Sequence, residues 1–358
     1  MLLKSCLLTA LATLSIASPI TEVVRVVNEL PRLVVYFQTT HDPNGRPLSM
    51  LPLVKEKGIA LTHLIVCSLH VQENSQIHLN DYPPDDARFY TLWNETQVMQ
   101  NAGVKVMGMV GGAAAGSFTS GTLDGNEATF NKYYGQLREV IRRFKLQGLD
   151  IDVEQRMSQA GIERLVDRLR SDFGTKFIIT LAPVASALSN GGNLSGFNYA
   201  TLESRKGSKI NFYNAQFYSG FGSMSSTTDF NKIVSHNIGA SRLVAGQLTS
   251  PSNGQGYIPY EQLKTTIESL TKKYGQIGGV MGWEYFNSAP GGTSEPWKWA
   301  QIMTQILRPN SVPKLSISRD RANSLAVAFD ESSVSHLSGT AENDEEGPRI
   351  DYHQMINK

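Results

Sequence analysis

Short apolar runs recur along the chain, most of them followed by a stretch with helical spacing. The runs predict strands at Leu33–Phe37, Thr62–Leu69, Val104–Val110, Leu149–Val153, Phe177–Pro183, Ile210–Tyr218, Leu243–Gln247 and Gly279–Trp283. A strand covered on both faces reads as an unbroken apolar run, because neither side meets water. Between the strands, Gln136–Phe144 sets Leu137, Val140, Ile141 and Phe144 on one helical face, and Ile162–Leu169 and Leu263–Tyr274 behave likewise. Eight strands alternating with helices fit an α/β fold of the (β/α)8 TIM-barrel type, whose usual length is ~250 residues. An open, doubly wound sheet is the alternative, but it would not need eight strands. Residues 38–57 and 70–100 read as long connections after the first two strands, which in a barrel shape the catalytic face.

The pattern changes at both ends. Lys4, the apolar run Leu7–Ile16 and the small residues to Ala17 form a secretory signal peptide over residues 1–17. The run is shorter than the ~18 apolar residues of a membrane span, and no later stretch reaches that length. The barrel domain is expected over residues 18–309. From Asn310 the chain carries eight acidic and five basic residues and few apolar ones, so 310–358 reads as a flexible tail. Within it, Leu325–Phe329 could be a short docking element or a masked strand.

Charge narrows the partners. With 33 basic and 32 acidic residues the formal net charge is +1, so neither nucleic acid nor an anionic membrane is an expected partner. Of the two cysteines, Cys6 leaves with the signal peptide and Cys67 lies in the apolar run His63–Leu69. No disulfide is then available, and Cys67 reads as a buried structural thiol rather than a nucleophile. Asn94-Glu95-Thr96 and Asn193-Leu194-Ser195 are glycosylation sequons, each expected in a surface loop. A monomer is the expected state.

The most informative segment is Gln147-Gly148-Leu149-Asp150-Ile151-Asp152-Val153-Glu154. Side chains alternate along a strand, so Asp150, Asp152 and Glu154 share one face, with successive Cα atoms roughly 6.5–7 Å apart. In a barrel the aliphatic set faces the helices and the acidic set faces the axis. Three like charges at that spacing, partly out of water, cannot all ionise. A proton is shared among them, which suits Glu154 as a general acid. A solvated acidic edge or a metal site is the competing reading. The interleaved aliphatics oppose the edge, and a metal site would want further converging ligands, so no metal is expected. The scattered His41, His63, His70 and His78 lack the tight spacing of a ligand set.

This segment resembles the Asp-Gly-x-Asp-x-Asp-x-Glu signature of glycoside hydrolase family 18, carried on the fourth barrel strand, with Gln147 in place of the first Asp. The family's Ser-x-Gly-Gly appears as Met109-Val110-Gly111-Gly112, without the Ser. Read alone, Gly111–Ser117 could be a phosphate loop, but it lacks the lysine. Tyr213–Tyr218 is similar to the family's Gln-Phe-Tyr pattern, and Gly282-Trp283-Glu284-Tyr285 to the end of its eighth strand. The runs Tyr36–Asp42, His63–His70, Gly108–Ala113 and Gly278–Asn287 resemble secreted fungal endo-β-N-acetylglucosaminidases of this family.

The resemblance implies a secreted glycosidase that cleaves the GlcNAc-β-1,4-GlcNAc core of N-glycans with retention, using the substrate's own acetamido oxygen as nucleophile. It implies Glu154 as acid and base, Asp152 holding the acetamido N–H, Asp150 bonded to Asp152 from deeper in the barrel, and Tyr218 steering the acetamido oxygen. Trp283 is the implied floor under the sugar. Asn214, Gln216, Gly111, Gly112 and Glu284 are substrate-binding candidates beside these. No metal or organic cofactor is implied. A chitinase with the same machinery and a silent sugar-binding barrel are the rival readings. Only four tryptophans occur, Trp93, Trp283, Trp297 and Trp299, which is thin for a long chitin groove.

Overall fold

The computed structural model describes residues 30–311, together with Ser324. The signal peptide read at 1–17, the Leu325–Phe329 patch and the tail beyond Ser311 lie outside the described residues, Ser324 apart. Eight parallel strands are present: β1 (Arg32–Phe37), β2 (His63–His70), β3 (Lys105–Gly112), β4 (Gly148–Val153), β5 (Ile178–Leu181), β6 (Phe212–Gln216), β7 (Leu243–Leu248) and β8 (Gly279–Trp283). They pair in chain order, and β1 closes the ring against both β2, with Val34 opposite His63, and β8, with Arg32 opposite Gly279. A closed parallel sheet has no free edge. Each strand is followed by a helix: α1 (Pro52–Lys55), α2 (Tyr90–Asn101), α3 (Glu127–Arg143), α4 (Gln159–Phe173), α5 (Tyr199–Lys206), α6 (Thr228–Val234), α7 (Tyr260–Tyr274) and α8 (Trp297–Leu307).

Strand parity sorts the side chains into two cores. Leu33, Val35, Leu149, Ile151 and Val153 pack outward under the helices. Val34, Tyr36, Ile65, Cys67, Met107, Met109, Phe212, Val244 and Met281 fill the barrel interior. The interior is thus packed rather than open, as a barrel of eight strands requires. Toward its N-terminal end, His63 meets the Phe212 ring edge-on at 5.2 Å between centroids, and the Arg32 guanidinium lies 4.3 Å from the same ring. Burial, with Arg32 and Lys105 nearby, depresses His63 to about 3, so it is neutral here.

Two features of the 70–100 stretch depart from the expected long connection. Residues 90–101 form α2, and His78–Leu79 add a short antiparallel strand to β2, with Leu69 opposite Leu79. The buried face of α2 includes Thr91, Glu95 and Thr96 beside Leu92, Trp93, Val98 and Met99, so polar residues mask its apolar period. Asn94 is therefore an exposed helix residue and not a loop residue, while Thr96 beneath it is fully buried. Asn193 is exposed in the loop before α5, with Nδ2 donating to Phe197 O at 2.7 Å.

Candidate active site

Glu154 is the residue immediately after β4, and only Gln155, Arg156, Met157 and Ser158 separate it from α4. Ser158 caps α4 by accepting from Gly161 N at 2.9 Å, which ends the connection abruptly. The connection is tied on both sides. Gly116 N donates to Gln155 Oε1 at 2.7 Å, and Met157 N donates to Ser195 O at 2.9 Å. Ser195 Oγ also donates to the carbonyl of Val153 at 2.6 Å. Glu154 thus stands on a short bridge held by the neighbouring loops at the C-terminal mouth.

Below it, Asp152 and Asp150 point into the barrel, 5% and 0% exposed. Asp150 accepts from Tyr36 OH at 2.6 Å, Thr180 Oγ1 at 2.5 Å and Asn214 Nδ2 at 3.1 Å. Burial raises its proton affinity, and these three bonds oppose the rise. Gln216 Nε2 lies 3.2 Å from Asp152 Oδ1, 3.1 Å from Glu154 Oε1 and 3.0 Å from Ala182 O. Burial first, then repulsion from Glu154 and Asp150, holds the Asp152 carboxyl well above the usual carboxylate range. Burial raises Glu154 as well, while the Gln216 amide and a hydrogen bond from Asp152 oppose the rise. Burial thus raises the proton affinity of both carboxyls, and the contact between Asp152 and Glu154 couples them. The row is divided: Asp152 turns up to Glu154, and the bonds to Asp150 come from three other strands rather than from Asp152 as expected.

Tyr218, two residues beyond β6, is 8% exposed, and the charges that raise its phenol, after burial, are those of Asp152, Glu154 and Asp150. Trp283 closes β8, is half-buried and meets Tyr36 edge-on at 5.8 Å. Tyr218 belongs to the interior cluster and Trp283 packs against it, and Tyr218 lies near enough to feel the charges of Asp152 and Glu154. Gly112 sits beside Asp152: a Cβ there would lie 3.9 Å from Asp152 Oδ2 and 3.7 Å from Ser68 Oγ. At Gly111, with φ +104°, a Cβ would meet Asp152 O at 2.1 Å, so this position admits only glycine.

Three expected substrate contacts are placed otherwise. Asn214 is fully buried with its amide on Asp150, too deep to meet a sugar. Gly111 packs under the β4 backbone and Phe118. The Glu284 carboxylate is already taken, accepting from Gln38 N, Thr39 N and Thr39 Oγ1. Tyr36 and Thr180, which hold Asp150, were not singled out from sequence as its partners. Their inward parity is readable, but not the register that brings them to Asp150. Gln147 lies at the start of β4 and accepts from Val106 N at 3.0 Å, so it fastens β4 to β3 far from Glu154. Burial, and then the nearby carboxylates of Glu284, Asp150 and Asp152, push the Cys67 thiol up, so it stays protonated and unreactive. Among the described residues no group of three or more His, Cys, Asp or Glu could hold a metal ion. None of their helices is long and apolar enough to cross a membrane.

A pair of adjacent carboxyls whose proton affinities burial raises, at the C-terminal end of a parallel barrel strand, is equipped for general acid–base hydrolysis. Residues 32–247 match the family of glycosyl hydrolases family 18, and the chain belongs to that family and is a glycoside hydrolase. A solved fungal endo-β-N-acetylglucosaminidase of the family is 64% identical, covering 79% of this chain and 100% of that one with a TM-score of 0.78. The chitinase ChiC from Aspergillus fumigatus is 48% identical, covering 76% and 98% of the two chains with a TM-score of 0.69. Chitinase 2 from Rhizopus oligosporus is 31% identical over 200 residues, 52% of this chain; the chain spans only 34% of that protein's length.

Proposed function

We propose that the protein is a secreted mannosyl-glycoprotein endo-β-N-acetylglucosaminidase, hydrolysing the β-1,4 bond between the two GlcNAc residues of the N-glycan core. The observation that carries the reading is the pairing of the Asp152 and Glu154 carboxyls, bridged by Gln216 Nε2 at 3.2 Å and 3.1 Å, with Tyr218 nearby. The substrate assignment draws support from the 64% identity to an enzyme of that activity.

The reaction needs a proton on the bridging oxygen and a nucleophile at the anomeric carbon. Glu154, at the rim, delivers the proton. The substrate's 2-acetamido oxygen attacks the anomeric carbon and the bond to the bridging oxygen breaks, giving a cyclic oxazolinium ion. As positive charge develops, Asp152 holds the acetamido N–H and its carboxyl faces the cation. The reacting complex thus needs the proton on Glu154 and the charge on Asp152. Tyr218 OH donates to the acetamido oxygen, and Trp283 supplies an apolar face under the sugar. Glu154 then takes a proton from water, which opens the ring with retained configuration.

A chitinase is the second reading, favoured by the 48% identity to ChiC and the match to Chitinase 2. The two separate in one experiment. A glycoprotein bearing high-mannose chains and colloidal chitin are incubated with the mature enzyme, and the products are weighed by mass spectrometry. Our reading expects released glycan and a single GlcNAc left on asparagine. Soluble chitooligosaccharides with no glycan release would replace it by the chitinase reading. The export reading is checked by N-terminal sequencing of the protein recovered from medium, which should begin at Ser18.

A further inference from the structure

We infer that Glu284 is a positioning residue, which fixes Trp283 against the carboxyl row by strapping the end of β8 to the loop after β1. Its Oε2 accepts from Thr39 N at 2.8 Å and Gln38 N at 3.2 Å, and its Oε1 accepts from Thr39 Oγ1 at 2.8 Å. The side chain is 9% exposed, and no cation lies among these partners. A carboxylate buried without a cation is costly unless its oxygens are filled, so the strap holds only while those donors stay in place.

The strap is one link in a belt around the mouth. On the far side of Trp283, its carbonyl accepts from Thr249 N at 2.8 Å and Asn253 Nδ2 at 3.0 Å, and the carbonyl of Glu284 accepts from Thr249 Oγ1 at 2.6 Å. Tyr285 N donates at 2.9 Å to the backbone carbonyl of Tyr36, the residue whose side-chain hydroxyl holds Asp150. Toward β2, Asn80 Nδ2 donates to Gln38 O at 3.0 Å, and its Oδ1 accepts from Ser68 N at 3.1 Å. Ser68 in turn lies beside Gly112 and so beside Asp152. Releasing Glu284 frees the loop after β1 and, with it, the tilt of the indole relative to Glu154.

The inference rests on the glycosidase reading, and its test keeps the two apart. The variants Glu284→Ala, Glu284→Gln and Thr39→Val, and the double variant Glu284→Ala/Thr39→Val, are compared with wild type for thermal unfolding, KM and kcat. The same proteins are assayed for chitotetraose affinity by calorimetry. Leaving two half-buried N–H groups without their acceptor, Glu284→Ala should raise KM about tenfold while kcat changes about twofold or less. Glu284→Gln keeps an acceptor for both amides and can donate to Thr39 Oγ1, so it should return KM to within about threefold of wild type. Thr39→Val should raise KM a few fold in the wild type and not at all beside Glu284→Ala, because the bond it deletes is already gone. Additive effects, or unchanged KM in folded Glu284→Ala, would overturn the positioning role. A wild type that cleaves neither N-glycan nor chitin refutes the glycosidase reading instead. The same cycle read in chitotetraose affinity then still decides on Glu284, and absent binding would overturn both.

Discussion

Replacing Tyr36 with Phe deletes one hydroxyl and leaves the barrel packing intact, so it isolates what holds Asp150. That hydroxyl donates at 2.6 Å to a carboxylate that is 0% exposed and has only two other donors, Thr180 and Asn214. A hydrogen bond to a buried charge contributes about 1.5–3 kcal/mol. The bond favours the ionised form, so its loss raises the folded-state proton affinity of Asp150 further. Unfolded chains of the two proteins titrate alike. The destabilisation is therefore full where Asp150 is ionised and shrinks toward that of a neutral bond, about 1 kcal/mol, as pH falls and Asp150 takes up a proton. Protonated Asp150 also stops repelling the charge on Asp152, whose proton affinity that repulsion raises, so the acid limb of kcat/KM should move to lower pH. Urea unfolding of wild type and Tyr36→Phe between pH 4 and pH 8, with kcat/KM over the same range, reads both effects. Stability within about 0.5 kcal/mol of wild type at every pH, with an unmoved acid limb, would refute the account of Asp150.

Other consequences are as direct. Asp152→Asn keeps the shape but removes the charge facing the oxazolinium ion. It should lower kcat by about 10²–10³, and an unchanged rate would take Asp152 out of the reaction. Glu95, buried on α2, accepts from Ser49 Oγ and Met50 N, yet burial raises it to about 7. Between the unfolded value near ~4.3 and about 7, the folded state holds more protons than the unfolded one, so stability falls as pH rises. From pH 5 to pH 8 the wild type should lose about 3 kcal/mol more than Glu95→Gln in urea unfolding, and parallel pH profiles would contradict the burial argument.

Much of the architecture was legible because parallel barrel strands are apolar on both faces and stand out against helices of period 3.6. All eight expected strands are present, shifted by one or two residues at their ends. The acidic row was legible because polar residues on alternate positions of an otherwise aliphatic strand have no packing explanation. What the linear pattern could not carry is register. Nothing in Arg32–Phe37 or Ile178–Leu181 tells that Tyr36 and Thr180 arrive at Asp150, since that depends on how the strands are staggered around the ring. Glu95 is the converse case: within Asn94-Glu95-Thr96 it reads as part of an exposed sequon, and only the docking of α2 against the loop after β1 buries it. Glu284 is the same kind of case: its neighbourhood makes it a substrate candidate, and only the fold brings the Gln38 and Thr39 amides and the Thr39 hydroxyl to its carboxylate.

The most direct measurement compares Glu154→Gln with wild type, reading glycan binding by calorimetry and glycan release by mass spectrometry. Loss of the proton donor with the amide in the same place should leave affinity within about threefold and cut turnover by about 10²–10⁴. Turnover near the wild-type value, in a variant that still binds the glycan, would contradict the claim that Glu154 supplies the proton.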